Sequence, residues 1–196
     1  MPEHAEQYTI RRKVLVILGA SFHIYDAQGK VVGFCRQKAF KLKEDIRIFA
    51  DEAMTTPLLT IKARSVIDFG ASYDVTLPDG QSVGSLRRRG LRSMFRDSWL
   101  VFDRSGRQVA MIQEDSALMA TLRRLNDIVS IVAPQKYNVI ATSDNSPGPK
   151  IAVLRQHFNP FVYRLGVAIM QEHEHLDDML ILGAGCLIAA VEGRQG

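Results

Sequence analysis

Short runs of apolar and β-branched residues recur along most of the chain, and turn-forming residues separate many of them. Asp-Ala-Gln-Gly at 26–29, Pro-Asp-Gly at 78–80 and Arg-Ser-Gly at 104–106 are typical of β-hairpin turns. The pattern therefore predicts a mainly β protein built as an antiparallel meander. The strands are expected at 14–18, 22–25, 31–35, 46–50, 58–63, 71–76, 83–86, 99–102, 109–113, 118–123, 128–132, 137–142, 151–155 and 161–169.

The last long apolar run, residues 179–191, is different because it would be apolar on every side of a helix. It is shorter than the roughly 20 residues that a bilayer span needs. Asp177 or Asp178 can cap its start, and Gly193 can end it. We therefore expect a helix enclosed by the sheet rather than a bilayer span. Small residues would let strands approach it closely: Gly183, Ala184, Gly185, Ala189 and Ala190.

The chain is expected to form one domain over residues 1–196. The stretch 142–149, Thr-Ser-Asp-Asn-Ser-Pro-Gly-Pro, predicts a long exposed loop, but the two strands and helix after it are too small to bury a separate core. A faint internal repeat suggests two halves of a quasi-symmetric barrel, although common turn residues also match by chance. The repeat pairs Tyr25, Asp26, Gly29, Gly33, Arg36, Lys38 and Asp45 with Tyr73, Asp74, Gly80, Gly84, Arg87, Arg89 and Asp97.

Composition narrows the class of protein. A charged fraction of 23% and a mean hydropathy of -0.03 are ordinary for a soluble globular protein and argue against disorder or a polytopic membrane protein. Cys35 and Cys186 have neither CxxC spacing nor a nearby histidine pattern, so we expect two buried thiols. The N-terminal residues lack the order of a signal peptide, which favours a cytoplasmic protein.

Several segments together resemble the LURP-one-related and phospholipid scramblase-like family. They are residues 22–26 with Gly29, 38–45, 62–69, 83–93, 96–99, 159–162 and 190–195. The resemblance implies a Tubby C-terminal-like fold, a closed barrel of roughly twelve strands threaded by a hydrophobic C-terminal helix. It also implies a binding role, since Tubby-like relatives bind phosphoinositide head groups through basic surface residues. Scramblase relatives act at membranes and are associated with calcium.

A cluster of basic residues is the strongest candidate for chemistry. The net charge is +4, but the positive charge is unevenly placed along the chain. Arginine forks suit bidentate contacts to phosphate, so an anionic phospholipid head group or a phosphorylated small molecule is the expected ligand. The alternative is a solvated surface whose arginines pair with Glu44, Asp45 or Asp97. The candidate anion-binding residues are Arg87, Arg88, Arg89, Arg92 and Arg96, joined by Lys38, Lys41 and Lys43.

Other classes of site have weaker support. His173, His175 and Asp177 alternate and would share one face of a strand, where they could hold a divalent metal, but the same residues also fit a polar hairpin. No fourth ligand and no EF-hand loop is evident, so neither a metal nor another cofactor is expected. No hydrolase elbow, P-loop or dinucleotide fingerprint suggests an enzyme. The sequence shows no RNA-binding motif and no recognition helix, so a nucleic-acid partner is not expected.

These observations lead to one hypothesis with two alternatives. We expect a non-enzymatic binding module in the cytoplasm, peripheral at the membrane, that recognises an anionic head group through a basic barrel face. The first alternative is a structural or protein-interaction scaffold, and the second is a scramblase-type membrane protein. The sequence leaves the oligomeric state, calcium dependence and identity of the ligand open.

Overall fold

A computed structural model describes residues 5–13, 20–37, 46–65, 71–89, 98–115, 135–143, 146–157, 159 and 161–192 of the 196. Twelve β-strands and one α-helix lie within these residues. They are β1 (Tyr8–Lys13), β2 (Ala20–Asp26), β3 (Val31–Gln37), β4 (Ile46–Phe49), β5 (Pro57–Ser65), β6 (Ser72–Thr76), β7 (Ser82–Arg88), β8 (Ser98–Phe102), β9 (Gln108–Glu114), β10 (Lys136–Ser143), β11 (Ser146–His157), β12 (Val162–Ile169) and α1 (Asp178–Glu192).

The strands form a closed antiparallel barrel. Each strand pairs with its neighbours in sequence, and β1 closes the barrel by pairing with β12. This confirms the mainly β class, the meander and the closed barrel of about twelve strands with one C-terminal helix. Eleven of the predicted strands coincide with β2–β12 apart from their ends, whereas those expected at 14–18, 118–123 and 128–132 lie outside the described residues.

The strand β1 is the element that the sequence pattern missed. Its second half reads Arg-Arg-Lys, which does not look like a strand in a protein with an apolar core. Ile10 is fully buried and faces inward, so Arg11 faces outward and Arg12 faces inward. Arg12 fits inside because its guanidinium lies 5.4 Å from the Phe22 ring centroid and its Nη1 donates to Ala189 O at 3.5 Å.

The two ends of the barrel differ in their connections. At one end, which we call the hairpin end, short turns at 27–30, 77–81 and 103–107 join successive strands. Gly29, Gly80 and Gly106 have positive φ there, and each donates its backbone N–H back across the turn at 3.0 Å. The three predicted hairpins are therefore confirmed. The opposite end, where the odd-numbered strands finish, carries Arg12, Arg64, Arg88 and Arg155, and we call it the basic end.

The helix α1 runs inside the barrel from the hairpin end to the basic end. It begins at an N-cap, since the Asp177 carboxylate accepts the Met179 N–H at 2.8 Å, and its residues 180–190 are buried on every side. Fifteen helical residues span about 22 Å, which is the height of a small barrel. The expected enclosed helix is thus confirmed. Within the described residues, no helix has the length and apolar character needed to cross a membrane.

Small side chains and thiols fit the helix to its wall. A Cβ added at Gly185 would lie 3.0 Å from Ile10 Cδ1, and one at Gly183 would lie 3.2 Å from Leu59 Cδ2.

Cys35 and Cys186 are both free and buried, as expected. Burial raises the pKa of the Cys35 thiol to about 12. Burial also raises the pKa of Cys186, and the neighbouring Cys35 adds to the rise. Both thiols therefore stay protonated.

Two details of the predicted organisation are corrected. The stretch 142–149 is not a long loop, because Thr142 and Ser143 end β10 and residues 146–149 begin β11; Asp144 and Asn145 lie outside the described residues. The repeat holds for its glycines, since Ile24 pairs with Gly33 as Val75 pairs with Gly84. It does not hold for its tyrosines. Tyr25 follows the buried Ile24 and faces outward, whereas Tyr73 shares the inward face of Val75.

We expect Leu187→Asp to unfold the domain. Leu187 is 2% exposed in the middle of α1, and a buried unpaired carboxylate costs more than the roughly 5 kcal/mol that holds a marginal domain together. Circular dichroism and size-exclusion chromatography would show the loss. Val31→Asp is the matched control, because Val31 is 37% exposed, and it should fold normally. A soluble Leu187→Asp variant with an intact melting transition would contradict the enclosed helix.

Candidate functional site

The arginine triplet at the end of β7 is divided between two faces of the sheet. Leu86 is buried and points inward, so Arg87 points outward, and Arg87 is exposed. Its Nε donates to Ser72 Oγ at 3.3 Å, and its guanidinium lies 4.9 Å from the Phe102 ring centroid. Arg89 follows the strand and is also exposed, with its backbone N–H bonded to Ser98 O at 2.9 Å. Arg87 and Arg89 are therefore accessible to a ligand.

Arg88 belongs to the inner face of the same strand. It pairs in register with Trp99, and its guanidinium lies 5.8 Å from the Trp99 ring centroid. Tyr73 completes the group, 6.0 Å from Trp99 between ring centroids. Burial raises the pKa of the Tyr73 hydroxyl, and Arg88 partly offsets the rise. Arg88 is thus half-buried and closes the barrel interior beside two aromatic rings, rather than lining an open surface with Arg87.

The remaining predicted anion-binding residues lie outside the described residues. These are Arg92, Arg96, Lys38, Lys41 and Lys43, together with the acids Glu44, Asp45 and Asp97 that would neutralise them. The strands that flank both segments are described, and β3, β4, β7 and β8 all meet the segments at the basic end. The described strands that adjoin the two stretches therefore reach the same end of the barrel, while the placement of these residues stays a prediction.

The basic end also collects cations that the sequence pattern did not single out. Some of them are paired: Arg64 binds Asp74 through its Nε at 3.0 Å and through Nη2, and Lys136 lies 3.4 Å from Asp115. Others come from strands far apart in sequence, namely Arg11, Arg12, Arg155 and Arg164. Most of these cations could have been grouped from the sequence, because the last residues of odd-numbered strands in a meander share one end of the sheet.

The hairpin end has the opposite charge. Asp26, Asp79 and Asp103 each accept backbone N–H groups within their own turns. Asp177 and Asp178 begin the helix there, with Glu172 and Glu174 in the preceding segment. Burial raises the pKa of Asp178, and the charges of Asp177 and Glu172 add to the rise. The barrel is therefore polarised along its axis, with acids at the start of the helix and cations at its end.

A cleft of about 450 Å³ opens at the hairpin end between the β8–β9 turn and the segment before α1. Its walls carry both signs of charge, since Asp103, Glu174 and Asp177 face it together with Arg104 and Arg107. Arg107 is already engaged, because its backbone N–H and its Nε both donate to the Asp103 carboxylate. The cleft therefore lacks the single sign of charge that would select an anionic ligand.

The three metal candidates do not lie along a strand. His173 makes an isolated bridge with Leu176 around a turn, and His175 N donates to His173 Nδ1 at 3.4 Å. Asp177 directs one carboxylate oxygen to the helix N-cap. The alternation expected for a shared strand face is therefore wrong, and the polar turn is the observed structure. Across the part of the chain that the structure describes, no group of three or more metal-ligating side chains comes together.

The twelve-stranded antiparallel barrel closed around a hydrophobic C-terminal helix is consistent with the Tubby-like and scramblase-like superfamily. The LURP-one-related family model matches residues 31–177, about three quarters of the chain. The chain therefore belongs to the LURP-one-related family. No curated protein and no solved structure matched it.

We expect the Asp103 turn to make the hairpin end sensitive to acid. Burial opposes ionisation, but hydrogen bonds from Ser105 and Arg107 and the charge of Arg107 outweigh it and lower the pKa of Asp103 below its ordinary 3.8. A lowered folded-state pKa stabilises the protein above pH 3.8, and this contribution is lost as the pH falls through the folded value. Asp103→Asn should therefore be less stable than wild type at pH 7 and match it near pH 2.

Urea unfolding between pH 2 and pH 7 would measure the difference. Asp79→Asn is the matched control, because the Asp79 carboxylate accepts one backbone N–H, from Gln81 at 2.9 Å. Its deficit should be smaller than that of Asp103→Asn at pH 7. An Asp103→Asn deficit of the same size at both ends of the pH range would contradict the role of the charge.

Proposed function

We propose that this protein is a non-enzymatic module that docks its basic end on an anionic phospholipid surface at the cytoplasmic face of a membrane. The LURP-one-related family and the barrel fit a Tubby-like lipid-binding module, and the family is generally non-enzymatic. The observation that carries the proposal is the charge polarity of the barrel. Acidic turns occupy one end, and Arg87 and Arg89 stand exposed at the other.

Electrostatics supports this orientation. Each lysine or arginine near an anionic leaflet contributes about 1 kcal/mol of attraction, and the attraction fades within a Debye length of about 8 Å at physiological salt. The acids of the hairpin end lie a helix length away, about 22 Å, so they would be screened from the same surface. When the basic end docks, Arg87 and Arg89 are exposed close to the leaflet, whereas Arg104 and Arg107 lie at the far end.

An exposed aromatic ring at the same end supports the membrane rather than a purely soluble partner. Phe161 precedes β12 and is 66% exposed. The Asn159 carboxamide oxygen accepts the N–H groups of Phe161 and Val162 at 2.9 and 3.0 Å, and these bonds hold the backbone beneath the ring. Aromatic side chains favour the interfacial region of a bilayer. Phe161 would enter the head-group layer at the same end of the barrel as Arg87 and Arg89.

Vesicle pelleting tests the proposal directly. The double variant Arg87→Gln, Arg89→Gln should bind phosphoinositide-containing vesicles roughly thirtyfold more weakly, because two contributions of about 1 kcal/mol are lost. The matched control removes two charges from the hairpin end, Lys30→Gln with Arg104→Gln, and should bind as wild type does. Raising the salt concentration should weaken vesicle binding more in the wild-type protein than in the Arg87→Gln, Arg89→Gln variant.

Two outcomes would contradict the proposal. Equal loss of binding in the two double variants would show that net charge rather than the basic end decides binding. Failure of the folded wild-type protein to pellet with any anionic vesicle would favour the alternative of a protein-interaction scaffold. Melting temperatures of all variants should stay close to wild type, since Arg87 and Arg89 are exposed.

A further inference from the structure

Two arginines face each other where the first and last strands close the barrel. Arg11 of β1 is directly opposite Arg164 of β12 in the register of the antiparallel pair. Both point outward, because their neighbours Ile10 and Leu165 are fully buried in the core. Residues opposite each other in an antiparallel pair have Cβ atoms about 5 Å apart, and like charges in this position destabilise the sheet. The pair therefore needs a counter-ion.

Within the described residues, Glu6 and Glu52 contact this row of the sheet, and each pairs with a histidine. The row crosses four strands in the order His157, Arg164, Arg11 and His23. Glu6 binds the outer histidine on one side, with its Oε1 2.5 Å from His157 Nε2. Glu52 binds the outer histidine on the other side, with its Oε1 2.7 Å from His23 Nε2. The two central guanidinium groups are left between these pairs.

The glycine at position 166 helps to hold Glu6 on its histidine. A Cβ added at Gly166 would collide with the Glu6 carboxylate, so the absent side chain makes room for it on the outer face of β12. Glu6 therefore lies over β12, where it is bonded to His157. This arrangement assigns the carboxylate to the histidine rather than to an arginine.

The guanidinium groups themselves show unused hydrogen-bonding capacity. Among the described residues, Nε of Arg11 and Nε of Arg164 are both buried and have no hydrogen-bond partner. Arg11 is oriented by an aromatic ring, since its Cζ lies 4.3 Å from the Tyr25 ring centroid. A buried donor without a partner is costly, and the cost is removed when an acceptor is supplied. The two donors belong to residues that are opposite in register across one strand pair.

We propose that Arg11 and Arg164 form a binding site for a phosphate monoester dianion. A tetrahedral oxyanion between the two side chains can accept hydrogen bonds from both guanidinium groups and neutralise both charges. Because both Nε atoms are buried, their donation to the oxyanion requires the two side chains to rotate outward. Its source is either a soluble phosphomonoester or a lipid with a terminal phosphate. This site is separate from Arg87 and Arg89, because β1 and β7 stand on opposite walls of the twelve-stranded ring. It can therefore bind even if the membrane proposal fails.

The first test needs only the wild-type protein. Glycerol 3-phosphate is titrated into the isotope-labelled chain, and the Nε–H resonances of Arg11 and Arg164, assigned by through-bond correlation, are followed by NMR. Both resonances should move downfield along saturable curves as the hydrogen bonds form. Stationary Arg11 and Arg164 resonances at concentrations where other arginines shift would overturn the proposal.

The second test uses matched charge variants. Arg11→Gln and Arg164→Gln should each weaken glycerol 3-phosphate binding roughly tenfold, because one charged fork is lost. Each should fold at least as well as wild type, since the like-charge pair is relieved. Arg104→Gln removes the same charge at the hairpin end and should bind as wild type does. Equal weakening in Arg104→Gln and Arg164→Gln would overturn the site.

The third test separates the two sources and the two proposals. Vesicles of phosphatidylcholine with and without phosphatidic acid present the same phosphomonoester on a surface. Binding to phosphatidic acid that falls in Arg164→Gln supports a lipid source, and binding of glycerol 3-phosphate alone supports a soluble one. The Arg87→Gln, Arg89→Gln variant should keep its affinity for glycerol 3-phosphate. Loss of that affinity in this variant, but not in Arg164→Gln, would overturn the inference.

Discussion

The enclosure of α1 is the constraint on which the rest of the structure depends. A helix that is buried over residues 180–190 must bury an apolar surface on every side, and only a closed wall can do this. The barrel wall consists of strands whose side chains alternate between the inner and the outer face. Inward residues such as Ile10, Val75 and Leu165 are fully buried. Because the helix fills the barrel, any ligand must bind on the outer faces or at the ends. The fold thereby confines function to the surface.

The direction of the helix links stability to charge distribution. Its N-terminus carries partial positive charge and begins at Asp177 and Asp178, and its C-terminus approaches Arg12 of β1. No basic residue lies in the last turn of the helix itself, so the wall supplies the cation. The same polarity continues outward to the acidic turns and to the exposed arginines. A helix inserted in this direction therefore favours a barrel with one acidic and one basic end.

Much of the fold follows from sequence because its signals are local. Strand alternation, the aspartate and glycine turns, and a helix apolar on all sides are each set by residues close in the chain. The prediction failed where the context is tertiary. Arg11 and Arg12 make β1 hard to recognise as a strand from the sequence. Arg12 can face the interior because its guanidinium contacts the Phe22 ring and the backbone carbonyl of Ala189 in the helix. Pro147 and Pro149 suggested a loop, yet residues 146–150 pair with β10 alone and leave a free edge, where proline is allowed.

The candidate site was likewise predictable from the sequence only in part. The separation of Arg87 from Arg88 follows from the period of two along β7 and was open to prediction. The meeting of Arg11 and Arg164 was not, because it depends on the register with which the two ends of the chain close the barrel, and no local pattern encodes that register.

Closure also determines how the two arginine sites can act together. Arg11 and Arg164 lie on the wall of β1 and β12, and Arg87 and Arg89 lie on the opposite wall at β7. Phe161 immediately precedes β12, three residues before Arg164, so it stands on the same side as the arginine pair. Contacts on opposite walls of a rigid barrel resist tilting more than the same charges grouped on one strand. Once one wall is bound, the other meets its ligand at high effective concentration. Two weak anion sites on a closed barrel would therefore fix both the affinity for a charged surface and the orientation on it.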